Sequence, residues 1–350
     1  MKVLVDAHML GLNEGGNERY IASLIQSLGR KVEICAIVGN SRKNVYGASK
    51  IIKVNCSNWI RYLYLIPKVM RDENCEVVLT TYFISPFVAR KNIVMIHDLL
   101  PLRNPEYFNI RERLQFLLLK YSIYFARKII VPSNFVKSEI AHFFPGFERK
   151  VRVIAEAANA IFKPVSRKER SKLRRKYNLD KVAVLVILSK YQKRPLEPIM
   201  EGLQLVGREM VVYLLNSSFE AIVNSNAKIE YRVIKGVKDE VLAELYSSVD
   251  LVIYGSRYEG FGLPILESLQ SKTPLLTTKI APAREILGDD YKYYFDLDKP
   301  LSLAHQIKKL LKESQQPNQT VLKQEAIVNN YSLMKTAGET YDLLHEMRNL

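Results

Sequence analysis

Short aliphatic, β-branched runs alternate along this chain with longer stretches whose apolar residues recur at helical spacing. Runs at 3–5, 32–38, 77–80, 93–96, 128–131 and 151–154 read as strands, and 20–28 and 111–125 read as amphipathic helices between them. Alternation of this kind predicts βαβ units and a parallel sheet. The pattern then restarts, with runs at 182–188, 210–215, 230–234, 251–254 and 274–277 separated by helices such as 239–247. A second doubly wound sheet is the consequence. Between the halves, 159–166 breaks the periodicity, and Pro164 holds its neighbour toward an extended backbone. The expected division is therefore 1–162 and 163–330, followed after a polar loop at 315–319 by a terminal helix over 334–347.

Composition supports two cores. A chain of 350 residues exceeds the size at which one core stops growing, and its 48% hydrophobic content is enough to fill two. Asp6 interrupts the start before a leader's hydrophobic region could form, and Arg71, Arg90, Lys120 and Arg127 interrupt the richest apolar stretches. Neither a signal peptide nor a spanning helix is expected, which points to the cytoplasm. Cys35, Cys56 and Cys75 lack metal-type spacing and read as reduced thiols.

The formal charge of +16 changes the picture, because it favours a polyanionic partner: nucleic acid, an anionic membrane surface or a phosphorylated small substrate. The densest basic run, 167–176, contains acids and has a helix's spacing, so it reads as a solvated helix face. The segment 59–68 mixes aromatics, aliphatics and cations, which suits either an interfacial surface or a buried helix.

In parallel sheets ligands sit beyond the carboxyl ends of strands. There the sequence Tyr254-Gly-Ser-Arg-Tyr-Glu259-Gly260-Phe261-Gly262-Leu263-Pro264-Ile-Leu-Glu267 follows a strand and opens a helix. Pro264 suits a first helical turn, and the two glycines leave backbone N–H groups bare to a phosphate or sugar. Glu259 falls in the loop and Glu267 about one turn into the helix. This stretch resembles the signature of the family-4 group of GT-B glycosyltransferases, two glutamates spaced E-x7-E across an EGFGLP loop, and the resemblance extends over nearly the whole chain. It implies two Rossmann-like domains facing a cleft, the first binding the acceptor and the second the nucleotide-sugar. It also implies that segment 331–350 crosses back to the first domain, that Glu259 faces the donor sugar, and that Glu267 binds the nucleotide ribose. Gly260, Phe261, Gly262 and Leu263 complete that donor cradle.

The segment from Ile93 to Phe108 delivers His97 and Asp98 at a strand's carboxyl end, where imidazole could bond the sugar or acceptor and carry a proton. Its HD-x-x-P-x-x-x-P pattern is similar to that of mannosyltransferase-like members of the family; packing of His97 and turn-capping by Asp98 are the bland alternative. Gly15, Gly16 and Asn17 open the first helix and resemble the family's loop against a diphosphate or acceptor. Diphosphate-binding cations are expected after the first strand of the second domain, where the family's R-K-N-L reads Lys193-Arg194-Pro195-Leu196. Because the two cations are exchanged, Lys190, Lys193 and Arg194 all remain candidates for the clamp.

No Asp-x-Asp pair stands at a strand end and the histidines lack ligand spacing, so metal independence is expected, with no cofactor beyond the nucleotide-sugar. The resemblance implies transfer with retention. GDP-mannose is the first donor candidate and a UDP-sugar the second; the acceptor would be a glycan or lipid-linked oligosaccharide of polysaccharide or lipopolysaccharide synthesis. The charge adds association with the anionic inner face of a membrane. Rival readings are a non-catalytic nucleotide-sugar binder and a nucleic-acid-binding protein; the latter lacks any recognisable reading module.

Overall fold

The computed structural model describes residues 1–11, 16–39, 45–188, 195–215, 228–313 and 320–348. The chain forms two compact units, Met1–Ala157 with Tyr331–Leu350, and Ala158–Asn330. The division falls a few residues before 162/163 because Phe162 is buried edge-on against Tyr246 of the second unit.

The first unit holds seven strands: β1 (Lys2–Ala7), β2 (Glu33–Val38), β3 (Lys50–Lys53), β4 (Val77–Thr81), β5 (Asn92–Met95), β6 (Lys128–Val131) and β7 (Val151–Val153). All pair in parallel, in the order β3-β2-β1-β4-β5-β6-β7. The order reverses between β1 and β4, and such a switch point opens a crevice beyond the strands' carboxyl ends. β1, β2, β4 and β5 are buried almost throughout. That is why they read as continuous aliphatic runs rather than alternating ones. β3, Lys-Ile-Ile-Lys, was not foreseen; it is a short edge strand whose terminal lysines face solvent.

The second unit holds β8 (Val182–Ile187), β9 (Met210–Leu215), β10 (Ile229–Ile234), β11 (Leu251–Tyr254), β12 (Leu275–Thr278) and β13 (Tyr294–Phe295). They too are parallel, in the order β10-β9-β8-β11-β12-β13. The two-residue β13 carries too short a pattern to read from sequence. The basic run is a helix, Arg167–Lys176, capped by Ser166, with only Leu173 buried. Two of its cations are not available to a partner: Arg170 and Arg174 clamp Asp250 at 2.8 and 3.1 Å, and Asp250 also accepts from the Ala183 amide at 2.8 Å. This clip joins the starts of β8 and β11.

The last helix, Leu333–Arg348, packs within the first unit through Lys128–Glu346 and Arg348–Glu76 ion pairs and a Thr336 hydroxyl donated to the Ala155 carbonyl. No helix among the described residues is long and apolar enough to cross a membrane.

Candidate functional site

In the second unit β8 and β11 run side by side, with Val186 opposite Ile253. The chain leaves β11 through Gly255, where any Cβ would press against Ile199, Leu297 and Phe295 at 3.0–3.2 Å. Ser256 is then pinned to the end of β12: its amide donates to the Thr278 hydroxyl at 3.1 Å, and that hydroxyl donates to the Ser256 carbonyl at 2.6 Å. The Ser256 hydroxyl donates to Glu259 Oε1 at 2.8 Å, so the glutamate is set by a buried partner although it belongs to a loop. Gly262 caps the next helix, Leu263–Gln270, with φ +114°, a left-handed conformation that only glycine adopts cheaply. Glu267 lies on that helix, 2% exposed, and accepts from the buried Tyr246 hydroxyl at 2.8 Å. The loop from Tyr258 through Leu263 is buried, with Glu259 6% exposed. Two carboxylates so nearly removed from water require hydrogen-bond donors, and each has a hydroxyl.

Lys190, Lys193 and Arg194 lie outside the described residues, as does Gly15. Gly16 and Asn17 form the first turn of the helix Gly16–Leu28. Its Glu18 reaches back to accept from the Gly11 amide at 2.8 Å.

The first unit assembles its own polar centre at the carboxyl ends of its strands. His97, two residues beyond β5, is 6% exposed, and its Nδ1 lies 2.6 Å from Glu156 Oε1. Facing an ionised Glu156, which can only accept, Nδ1 would be the nitrogen that carries the proton. Nε2 is buried with no hydrogen-bond partner among the described residues. Tyr20 and Tyr82 wall the ring at 5.5 and 5.8 Å between centroids. Burial, and then the nearby Glu156 charge, push the Tyr20 phenol far above its ordinary range. Asp98 does not join His97: its carboxylate accepts from the Leu100 amide at 3.1 Å and shapes the turn, the bland role considered above.

β1, separated from β5 by β4, ends in a second cluster that sequence reading missed. Fully buried Asp6 binds Arg61 Nε at 3.2 Å and His8 Nδ1 at 3.1 Å. Burial pushes its carboxyl up, but the charge and hydrogen bond of His8, the Arg61 charge and a Tyr62 hydrogen bond outweigh this and hold it below the usual carboxylate value. Asp6, like Glu156, could have been suspected only from its place at the end of a strand. Nothing local marked Arg61, which comes from a helix 55 residues away in sequence.

Among the described residues no three His, Cys, Asp or Glu side chains are grouped to hold a metal ion.

Comparison with known proteins covers both halves. Residues 14–159 match the family model described as Glycosyltransferase Family 4, and residues 217–327 match Glycosyl transferases group 1. The O-antigen chain mannosyltransferase B of Escherichia coli is 25% identical over 234 residues, 63% of this chain and 61% of that protein. The O-antigen chain mannosyltransferase RfbU of Salmonella typhimurium is 22% identical over 71% of this chain and 69% of its own length. The match to E. coli mannosyltransferase WbdA, 35% identical, spans only 9% of that longer protein. Among solved structures, sucrose-phosphate synthase from Thermosynechococcus elongatus superposes with TM-score 0.82 at 14% identity, covering 99% of each chain. Anabaena HepE, solved with UDP and glucose, superposes with TM-score 0.77 at 15% identity over 99% of this chain and 100% of its own. Two doubly wound units, an acidic loop-helix at the end of β11 and both family models converge: the chain belongs to the family-4, group-1 glycosyltransferases of GT-B fold.

Proposed function

We propose that this protein transfers a sugar, with mannose from GDP-mannose the first candidate, to a hydroxyl of a glycan or lipid-linked oligosaccharide, with retention and without a metal ion. The observation that carries the reading is the pair Glu259 and Glu267, held by separate buried hydroxyls on one loop and helix beyond β11. On this proposal Glu267 accepts the ribose hydroxyls of the donor, a strong interaction because the acceptor is charged and already oriented. Glu259 faces the transferring sugar, and its carboxylate stabilises positive charge as the bond to the diphosphate lengthens. The leaving diphosphate would be met by the cations among Lys190, Lys193 and Arg194 and by backbone amides at the glycines. His97, with Nδ1–H given to Glu156, offers a buried Nε2 to a hydroxyl of the sugar or acceptor.

Mannose is favoured by the relatives named as O-antigen mannosyltransferases. A UDP-sugar is the second reading, favoured by the likeness to HepE, which was solved with UDP and glucose. Melting temperature measured against GDP, UDP, ADP and their sugars, with and without chelator, separates the two, because a ligand of the native state raises it by mass action. A chelator-insensitive rise with GDP-mannose supports the first reading. A rise with UDP-sugars alone replaces mannose, and no rise with any nucleotide overturns the donor site.

A further inference from the structure

Large apolar side chains are exposed unevenly on this molecule, and most of them gather on one face of the first unit. The helical stretch from Asn58 to Asp72 buries Tyr62, Ile66, Val69 and Met70 but turns Trp59, Ile60, Leu63 and Tyr64 outward, Trp59 being 60% exposed. The sequence alternatives of core helix and interfacial surface are therefore both present, on opposite faces. The helix Ile110–Phe125, started by a reciprocal Asn109–Glu112 cap, buries Leu119 and Ile123. It exposes Ile110, Leu114, Leu117, Tyr124 and Phe125. The segment after β4 lies between the two helices, with Phe83 in ring contact with Tyr62 and Phe116, and it adds Phe87, 71% exposed. Together these account for ten of the fifteen large apolar side chains exposed among the described residues. A groove of about 220 Å³ runs between the helices, lined by Trp59, Tyr62, Leu63, Phe83, Leu118 and Tyr121 among others.

The same face continues into a basin of about 1320 Å³ that borders the amino ends of β4, β5, β6 and β7. It is at the opposite end of the sheet from His97. Phe87, Tyr124 and Phe125 reach into its wall, and its rim carries Arg90, Lys91, Arg127 and Arg149. These four cations have no carboxylate partner among the described residues, unlike Arg170 and Arg174 on the basic helix of the second unit. Unpaired cations beside exposed aromatics and aliphatics leave both charge and apolar area for something outside the chain to satisfy.

We propose that this face docks the protein on an anionic phospholipid bilayer, with the apolar side chains of the two helices entering the headgroup boundary, the groove receiving hydrocarbon and the four cations meeting lipid phosphates. Tryptophan and tyrosine with an apolar body and polar tip suit that boundary, and basic residues flanking them suit its negative potential. Pairing with a second copy through the same face would bring the unpaired cations against one another, which disfavours a symmetric dimer. The inference stands apart from the transfer reaction, since it uses none of the residues assigned to it.

Flotation of the full-length protein with vesicles tests it, using phosphatidylcholine alone and phosphatidylcholine with about a third phosphatidylglycerol. Binding should require the anionic lipid and weaken as salt rises from roughly 0.05 to 0.3 M. Each cation near such a surface is worth about fivefold in partitioning, so Arg90→Ala/Lys91→Ala should bind roughly 25-fold more weakly. Leu114→Ser/Leu117→Ser removes apolar contact alone and should cost at least about tenfold, rising past about a hundredfold if both side chains are fully immersed. All four positions are exposed, and a melting temperature equal to the parent's shows that each variant is folded. Should one pair fail to fold, Phe87→Ser with Tyr124→Ser reads the same face. Absence of binding to anionic vesicles overturns the proposal, as does binding that neither pair weakens. A concentration-dependent dimer that the Leu114/Leu117 pair dissociates, without vesicle binding by the parent, replaces the bilayer with a second copy.

Discussion

Removing the Tyr246 hydroxyl is the sharpest test of how the second unit prepares its acidic loop-helix. Tyr246→Phe keeps the fully buried ring and its edge contact with Phe162, whose centroid is 5.4 Å away, and deletes the bond of 2.8 Å to Glu267 Oε2. A hydrogen bond to a charged, buried acceptor is worth about 1.5–3 kcal/mol. For a unit of this size that lowers the melting temperature by roughly 3–12 °C. The functional effect follows from the same tether. If Glu267 accepts the ribose, full loss of that contact raises the nucleotide Kd about 12- to 150-fold, and losing only the tether should give the lower end, about tenfold. The ribose contact is made equally in ground and transition states, so KM for the donor should rise while kcat holds. Calorimetric titration with GDP and UDP, together with donor-dependent kinetics, reads both numbers. A combined Tyr246→Phe/Glu267→Gln variant should lose little beyond Glu267→Gln alone, because the two groups act as one. A Tyr246→Phe protein that binds nucleotide normally but turns over slowly would refute the ribose assignment and move Glu267 toward the chemistry.

Four further outcomes follow. Glu259→Gln should lower kcat about 100-fold or more while leaving nucleotide Kd within about threefold, and unchanged turnover would remove Glu259 from the reaction. Gly262→Ala must hold φ at +114° and place a Cβ 3.1 Å from Ile265, and should cost about 1–3 kcal/mol in a denaturant titration. Asp6→Asn leaves buried Arg61 without its carboxylate, retaining a Tyr62 hydroxyl at 3.4 Å, and should cost about 3–5 kcal/mol at neutral pH. Because the folded Asp6 carboxyl lies below its unfolded value of about 3.9, its stabilisation is complete above that pH and lost as pH falls through the depressed value. The gap in melting temperature between parent and Asp6→Asn should therefore narrow in acid, and a gap constant down to about pH 2 would refute the ionised pair.

The local chemistry of the chain was enough to determine a good deal. Buried parallel strands are aliphatic along their whole length, so β1, β4, β5, β8, β9 and β11 announce themselves, and a Gly-x-Gly-Leu-Pro stretch after a strand marks where a helix starts and backbone is bare. That places His97 at the end of a strand, Glu259 in the loop that follows another, and Glu267 on the helix this loop opens. Edge strands such as Lys50–Lys53 and Tyr294–Phe295 stayed hidden because an edge needs neither burial on both sides nor length. What only the tertiary structure decided is pairing over distance. Glu156 meets His97 across 59 positions, Arg61 meets Asp6 across 55, and Tyr246 meets Glu267 across 21. Each partner is an ordinary polar residue in its own window, since local pattern reports which side of an element is buried but carries nothing about what faces it. The exposed helix faces show the same limit from outside: the apolar content of 59–68 and 110–125 was plain in the letters, but which of those side chains the core takes and which it leaves to water is set by the sheet on which they pack.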